Sequence, residues 1–259
     1  MRTRTILISA LILLTGRIIN AQEYKIPVEN PKEARLQLDS FSGKLTIEGY
    51  GGNDIVVTPA DPIEPPAERA KGLKPVYPGG RTDNTGMGLS VQKDGNRVSI
   101  SYLLSYTQQR EFALKVPEEI ALIISSGCEN IGDLYISKMK AEIEVQNCYS
   151  LNLQQVSGPL VLNTISGDIN ITFGAMNTQK PFSINNVTGE IDITLPSNFA
   201  ADIEMETMTG SMYSDFDFRN EDKDMMRDDG GRLTSRLNGG GTKLTITSVS
   251  GNIYLRKGE

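Results

Sequence analysis

The sequence predicts an all-β chain, wound as a single-stranded parallel β-solenoid, right-handed, with rungs of about 20 residues. Three observations predict it. A short glycine-containing motif recurs along the chain. Short strands of alternating apolar and polar residues follow each copy and fill the spaces between copies. Helical periodicity is almost absent.

The motif is an apolar residue, Ser or Thr, Gly, any residue, then apolar-x-apolar. It reads Phe41-Ser42-Gly43-Lys44-Leu45-Thr46-Ile47, then Val156-Ser157-Gly158, Ile165-Ser166-Gly167, Val187-Thr188-Gly189 and Val249-Ser250-Gly251, each with its alternating tail. Met208-Thr209-Gly210 is an imperfect copy. Alternation makes a strand with one buried face. The glycine lets the chain bend where a side chain would clash or φ must be positive. The hydroxyl can hydrogen-bond the backbone at that bend. Gly167, Gly189 and Gly210 are spaced by 22 and 21 residues, and Cys128 and Cys148 by 20. A longer echo relates Leu114–Ala121 to Ile193–Ala200, each with a proline at the fourth position. An antiparallel sandwich competes with the solenoid, since it too uses short strands with regular turns.

Taken in order, the elements are these. Residues 1–21 predict a signal peptide: Arg2 and Arg4 precede the apolar run Ile6–Leu14, and cleavage is expected after Ala21. The run is too short for a membrane helix of about 20 residues. Residues 22–259 then form a single β-solenoid domain with no membrane insertion. Leu89-Ser90-Val91 and Val98-Ser99-Ile100 flank Lys93-Asp94-Gly95-Asn96, a hairpin signal, so the N-terminal third contains antiparallel pieces. Loop excursions are expected at 58–88, rich in Pro and Gly, and at 215–241, rich in acidic residues. The last rung, Thr242–Lys257, is expected to cap the stack. Stacked rungs would place Cys128 and Cys148 on neighbours; two buried thiols are the expectation, with a disulfide as the alternative.

Composition excludes much chemistry. The chain is acidic, at −6, and the leader carries three of its 26 basic residues, so the mature part is more acidic still. Phosphate backbones are not attracted to such a surface, which argues against nucleic acid as a partner. There is no histidine, the commonest general base and metal ligand near neutral pH, and no tryptophan. The remaining catalytic equipment is paired carboxylates, which glycosidases use. Glu142, Glu144, Asp168, Glu190, Asp192, Asp202 and Glu204 are the candidates, with Asp168 and Glu190 placed to stack. Outward positions must be polar for solubility in any case. The acidic run from Asp215 to Asp229 fails the EF-hand pattern, since Asn220 stands where Gly is needed and Met226 where Glu is needed. No catalytic, cofactor-binding or metal-binding residue is therefore assigned, and no cofactor is expected.

The Ser-Gly-x-apolar-x-apolar rungs and the closing run Gly239–Arg256 resemble the DUF4097-type putative adhesin family, similar to the head-GIN bacterial putative adhesins. The resemblance covers residues 41–257, and the Val116-Pro117 step fits it too. It implies a β-helix, export and a bacterial cell-envelope setting in the periplasm, on the outer surface or secreted. It brings no catalytic residues. The function expected is a non-catalytic envelope protein that presents a rigid surface to a glycan or protein partner, self-association included. A carbohydrate-active enzyme on the same fold and a periplasmic structural or signalling component are the alternatives.

Overall fold

The computed structural model describes residues 22–64, 67–128, 132–176, 180–218 and 231–258. The leader expected at 1–21 and most of the acidic run lie outside the described residues.

The chain enters through β1 (Tyr24–Pro27), β2 (Arg35–Asp39), β3 (Leu45–Tyr50) and β4 (Asp54–Pro59). After the first excursion come β5 (Leu89–Asp94), β6 (Arg97–Tyr102) and β7 (Phe112–Pro117). Five strand pairs follow: β8 (Ala121–Ser125) with β9 (Leu134–Ser137), β10 (Ile143–Asn147) with β11 (Leu151–Val156), and β12 (Leu160–Thr164) with β13 (Ile169–Phe173). The fourth pair is β14 (Phe182–Thr188) with β15 (Ile191–Leu195), and the fifth β16 (Ala201–Thr207) with β17 (Met212–Ser214). The chain closes with β18 (Gly231–Leu237), β19 (Thr242–Ser250) and β20 (Ile253–Lys257).

Each pair contributes one strand to each of two sheets. One sheet runs β1-β4-β7-β3-β9-β11-β13-β15-β20-β17, the other β18-β16-β19-β14-β12-β10-β8-β2-β6-β5. The fold is all-β, and both sheets are mixed. Their middles are parallel, as the repeat predicts, while antiparallel pairs β1–β4, β4–β7, β5–β6 and β16–β18 finish their ends. Parallel steps are uneven: Leu134 stands opposite Leu151, Leu151 opposite Ile169, and Ile169 opposite Ile191, so the rung length drifts between 17 and 22 residues.

Alternation decides burial. In β13 Ile169, Ile171 and Phe173 are buried and Asn170 and Thr172 exposed; β10, β12 and β15 follow the same rule. The inward residues of both sheets, from Ile26 to Leu255, make one apolar cluster. Rings join the layers: Phe182 of β14 meets Phe173 of β13 edge-on at 5.4 Å and Phe199 at 6.3 Å. At the other end Phe41 packs on Tyr102 and Phe112. Such edge-to-face pairs suit the ring quadrupole and add to the burial of their area.

The inward column ends in polar residues where the strands of the second sheet turn. Asn147, Thr164, Asn186, Ser248 and Thr207 are all buried and stand opposite one another on successive strands. Thr164 donates to Asn186 Oδ1 at 2.7 Å, Asn186 Nδ2 donates to Gly167 O at 3.0 Å, and Thr207 donates to Gly251 O at 3.0 Å. Turn carbonyls that the ladders leave over are thus satisfied from inside.

Four expectations need correction. The last rung does not cap the stack. β19 lies between β14 and β16, and β20 between β15 and β17. The mirror arrangement holds at the start, where β2 and β3 sit between the β6–β7 and β8–β9 strands. Both terminal rungs are therefore hydrogen-bonded on both sides, which prevents the fraying that chain ends otherwise show. Second, the excursion at 215–241 contains a regular strand, β18, paired along its length with β16. Its alternating Leu233, Ser235 and Leu237 fill the inner face. Third, Cys128 and Cys148 are joined in a disulfide, with Cα atoms 5.0 Å apart. The bond forms because the two residues leave β8 and β10 at neighbouring turns, within bonding reach. Fourth, the chain is not one uniform parallel coil, since the antiparallel strands at each end stop the ladder.

The segment after β4 is anchored before β5 begins. Asp83 accepts the N–H groups of Thr85, Gly86 and Gly88 at 2.8–2.9 Å. Partial burial raises its pKa, but these donors outweigh that and hold the carboxyl below its ordinary value. Asn84 bonds both the N–H and the C=O of Val91, so it occupies part of the free edge of β5. The hairpin turns at Gly95-Asn96, with Asp94 opposite Arg97. Among the described residues no helix is long and apolar enough to cross a membrane.

Candidate functional site

The seven candidate carboxylates are distributed over both sheets and are mostly engaged. Glu142 pairs with Lys180 at 3.0 Å, Asp202 with Arg236 at 3.8 Å, and Glu204 with Arg232 and Lys243. Asp192 holds Arg256 through both carboxylate oxygens at 2.8–3.0 Å. Asp168 and Glu190 do stack, but Asp168 Oδ1 accepts the backbone N–H of Glu190 at 2.9 Å. The Glu190 carboxylate turns to Asn252 and to the Tyr254 hydroxyl. Glu144 stands exposed on the outer face of β10. No cluster of three or more metal-ligating side chains occurs among the described residues. Asp215 caps the end of β20 by accepting the Lys257 N–H at 2.7 Å.

Two other features emerge that the sequence reading did not isolate. The first is an apolar ridge at the corner where the second sheet turns into the first. Ile165, Val187, Val249 and Met208 are 53, 43, 42 and 71% exposed. Their neighbours Thr164, Asn186, Ser248 and Thr207 are register partners, so these four side chains stand in one column in that order. The ladder bonds at the corner agree: Thr188 N–H reaches Ile165 O and Thr209 N–H reaches Val249 O. The Cys128–Cys148 disulfide lies beside the Ile165 end, since Asn147 stands opposite Thr164. Flanking the column are Ser166, Thr188, Ser250 and Thr209 on one side and Asn163, Asn185, Thr247 and the charged Glu206 on the other. Asn185 donates to Asn163 across the strands at 3.0 Å. These residues are the first letter of the repeated motif. Strand parity carries the missed signal: with Ile184 and Asn186 inward, Val187 must face outward.

The second feature is an aromatic platform on the outer face of the first sheet. Tyr213 on β17 and Tyr254 on β20 are register partners, with centroids 5.2 Å apart and planes 12° apart. The Arg256 guanidinium lies 5.6 Å from the Tyr254 ring centre. Asn252 Nδ2 donates to the Tyr254 oxygen, which favours the phenolate. Desolvation and the adjacent Glu190, as acceptor and as charge, outweigh it and raise the Tyr254 pKa. The hydrogen bonds to Asp192 raise Arg256 above its already high value, so it stays charged. A shallow cleft of about 210 Å³ is lined by Tyr213, Ser214, Asp215, Tyr254, Leu255 and Arg256. A wider cleft of about 540 Å³ lies at the opposite corner, where Lys32–Glu119, Lys140–Glu118 and Lys180–Glu142 close on one another.

Two mixed sheets built from short strands, with outward columns of register partners, define an all-β domain. The chain belongs to the Toastrack DUF4097 family, whose model matches residues 17–256. Among solved structures it is similar to a putative cell adhesion protein from Clostridium sporogenes, at 15% identity and TM-score 0.44 over 92% of this chain and 100% of the other. It is also similar to a putative adhesin from Bacteroides fragilis, at 13% identity and TM-score 0.35 over 91% and 95%. A putative lipid binding protein from Parabacteroides distasonis aligns at 10% identity and TM-score 0.26 over 93% and 98%. No curated protein matches the chain.

Proposed function

We propose that this chain is an exported, non-catalytic binding protein of the bacterial cell envelope, a single solenoid-like domain that holds a rigid surface out to a protein or glycan partner. The ridge carries the reading. Single exposed apolar residues are ordinary, but four in one column form a patch that marks an interaction surface. The core does not need them, because the inward positions of the same strands already fill it. Parallel strands hold the side chains about 4.8 Å apart. A backbone bonded on both sides loses little further freedom when a partner docks. With Glu206 the one charged member of the flanking residues named, apolar contact and neutral hydrogen bonds dominate, so binding should respond weakly to salt. The leader expected at 1–21 supports export. The absence of catalysis is supported by the carboxylates: most are tied to a cation or a backbone N–H, whereas glycoside cleavage needs a free acid and a free base or nucleophile.

The test compares wild type with the triple variant Val187→Ser, Val249→Ser, Met208→Ser. Both are incubated with envelope fractions from cells lacking the gene. Wild type should be retained at 50 and at 500 mM salt alike. Retention of the variant should fall tenfold or more while its melting temperature stays unchanged. Equal retention of the two, or release of reducing sugar from the envelope glycans, would contradict the reading.

A further inference from the structure

We infer that Tyr213 is the stacking platform of a binding site for a neutral sugar ring at the β17 edge of the first sheet. The inference shares with the proposed function the idea of a binding protein, but it uses a different surface and survives failure of the ridge. It begins from the outward column Asn170, Asp192, Tyr254, Tyr213, whose members stand opposite one another on β13, β15, β20 and β17. Among the described residues no strand lies beyond β17, so the column ends on a ring. One face of Tyr213 is covered by Tyr254. The residue remains 52% exposed, and its hydroxyl meets no hydrogen-bond partner among the described residues. A flat, half-exposed ring with one covered face and a free hydroxyl matches the C–H face of a pyranose and can bond its rim.

The groups behind the ring are fixed. The Tyr254 hydroxyl donates to Glu190 at 3.1 Å and accepts from Asn252 at 3.1 Å. Asn252 in turn accepts the backbone N–H of Ser211, which leads into β17. Arg256 is held bidentately by Asp192. Ser214 donates to Leu255 O at 2.8 Å, which ties the platform strand to β20. A ligand therefore meets a preorganised surface, the condition under which a small contact area gives measurable affinity. The cleft of about 210 Å³ falls below the roughly 300–1,000 Å³ of drug-sized pockets. It accepts one ring, with the rest of a glycan chain outside.

Charge selects the class. Among the described residues at the platform, Glu190, Asp192 and Asp215 stand against one side-chain cation, Arg256, which Asp192 already neutralises. A uronic or sialic acid would be repelled there, and a neutral hexose or N-acetylhexosamine would not.

The test uses the mature chain on an array of neutral hexose and N-acetylhexosamine oligosaccharides beside uronic- and sialic-acid ones. Positives are titrated by intrinsic tyrosine fluorescence, which no tryptophan obscures in this chain. Wild type should bind neutral glycans and not anionic ones. Tyr213→Ala should weaken binding at least tenfold with its melting curve unchanged. Tyr213→Phe should stay within about threefold, because the ring and not the hydroxyl dominates. The ridge variant should bind as wild type does. Absence of any neutral glycan ligand, preference for anionic ones, or equal affinity in Tyr213→Ala would overturn the inference.

Discussion

Glycine shows how one residue sets the rung. Gly189 adopts φ +119° and Gly251 φ +140°, conformations that side-chain-bearing residues avoid. They also stack: a Cβ on Gly189 would lie 2.3 Å from Gly167 O, and one on Gly251 2.0 Å from Gly189 O. Two independent penalties thus meet at one position. Gly189→Val should cost about 3–4 kcal/mol in urea unfolding, with the slope unchanged. Gly51→Ala, at a position where a Cβ meets nothing within 4 Å, should cost well under 1 kcal/mol; equal effects at the two sites would contradict the stacked-turn account. The Ser/Thr-Gly motif was legible because its demand is local. The ridge was not isolated, because the same motif letter points inward at Phe41 and Val156 and outward at Ile165, Val187, Met208 and Val249. What separates the two cases is a residue of left-handed backbone just before the letter, Ser40 at φ +59° and Gln155 at φ +54°, which flips the alternation and turns Phe41 and Val156 inward. Tyr213 and Tyr254 share one letter of the motif, the outward residue of its apolar-x-apolar tail, but their encounter depends on which strands are neighbours.

Elements carry the next level. Alternation predicted the strands and the Gly95 hairpin, and both formed where expected. It could not separate a loop from a strand inside 215–241, where β18 needs only seven residues and draws its order from β16. Pairing also decides the cysteines. The spacing of 20 brought them to adjacent rungs, and the turns after β8 and β10 then closed the bond. The disulfide closes a loop across two rungs and so restrains the unfolded chain. Its contribution on loop-length grounds is about 3 kcal/mol. Replacing both cysteines by serine should lower the melting temperature by roughly 6–12 °C for a domain of this size. A drop under 2 °C would return the pair to the role of two inert thiols. The polar ladder from Thr164 to Thr207 should persist in that variant, because its bonds run between turns that the disulfide does not touch, whereas Asn147 accepts the N–H of Cys148 itself.

At the scale of the whole molecule, rung order matters most. Sequence proximity suggests that β16 follows β14, yet β19 comes between them. In the second sheet that contact spans 62 residues, since Ser183 stands opposite Thr245. No local pattern records a pairing over such a separation, which is why the closing rung was expected at the end of the stack. The interleaving has functional weight. It puts Val249 between Val187 and Met208 and so completes the ridge, and it puts Tyr254 beneath Tyr213 and so backs the platform. This order leaves Met208 and Tyr213, not Val249 and Tyr254, at the outer end of the two columns.

The measurement that tests this most directly is cysteine cross-linking along the ridge. Val187→Cys with Val249→Cys, and separately Val187→Cys with Met208→Cys, are oxidised mildly and mapped by mass spectrometry with the native Cys128–Cys148 bond in place. Neighbouring strands bring Cα atoms within the 4.4–6.8 Å a disulfide accepts, and strands two apart do not. The account predicts a bond between positions 187 and 249 and none between 187 and 208. A bond between 187 and 208, with none between 187 and 249, would place the closing rung outside the stack, contradict the interleaving, and put Tyr254 instead of Tyr213 at the open end of the platform.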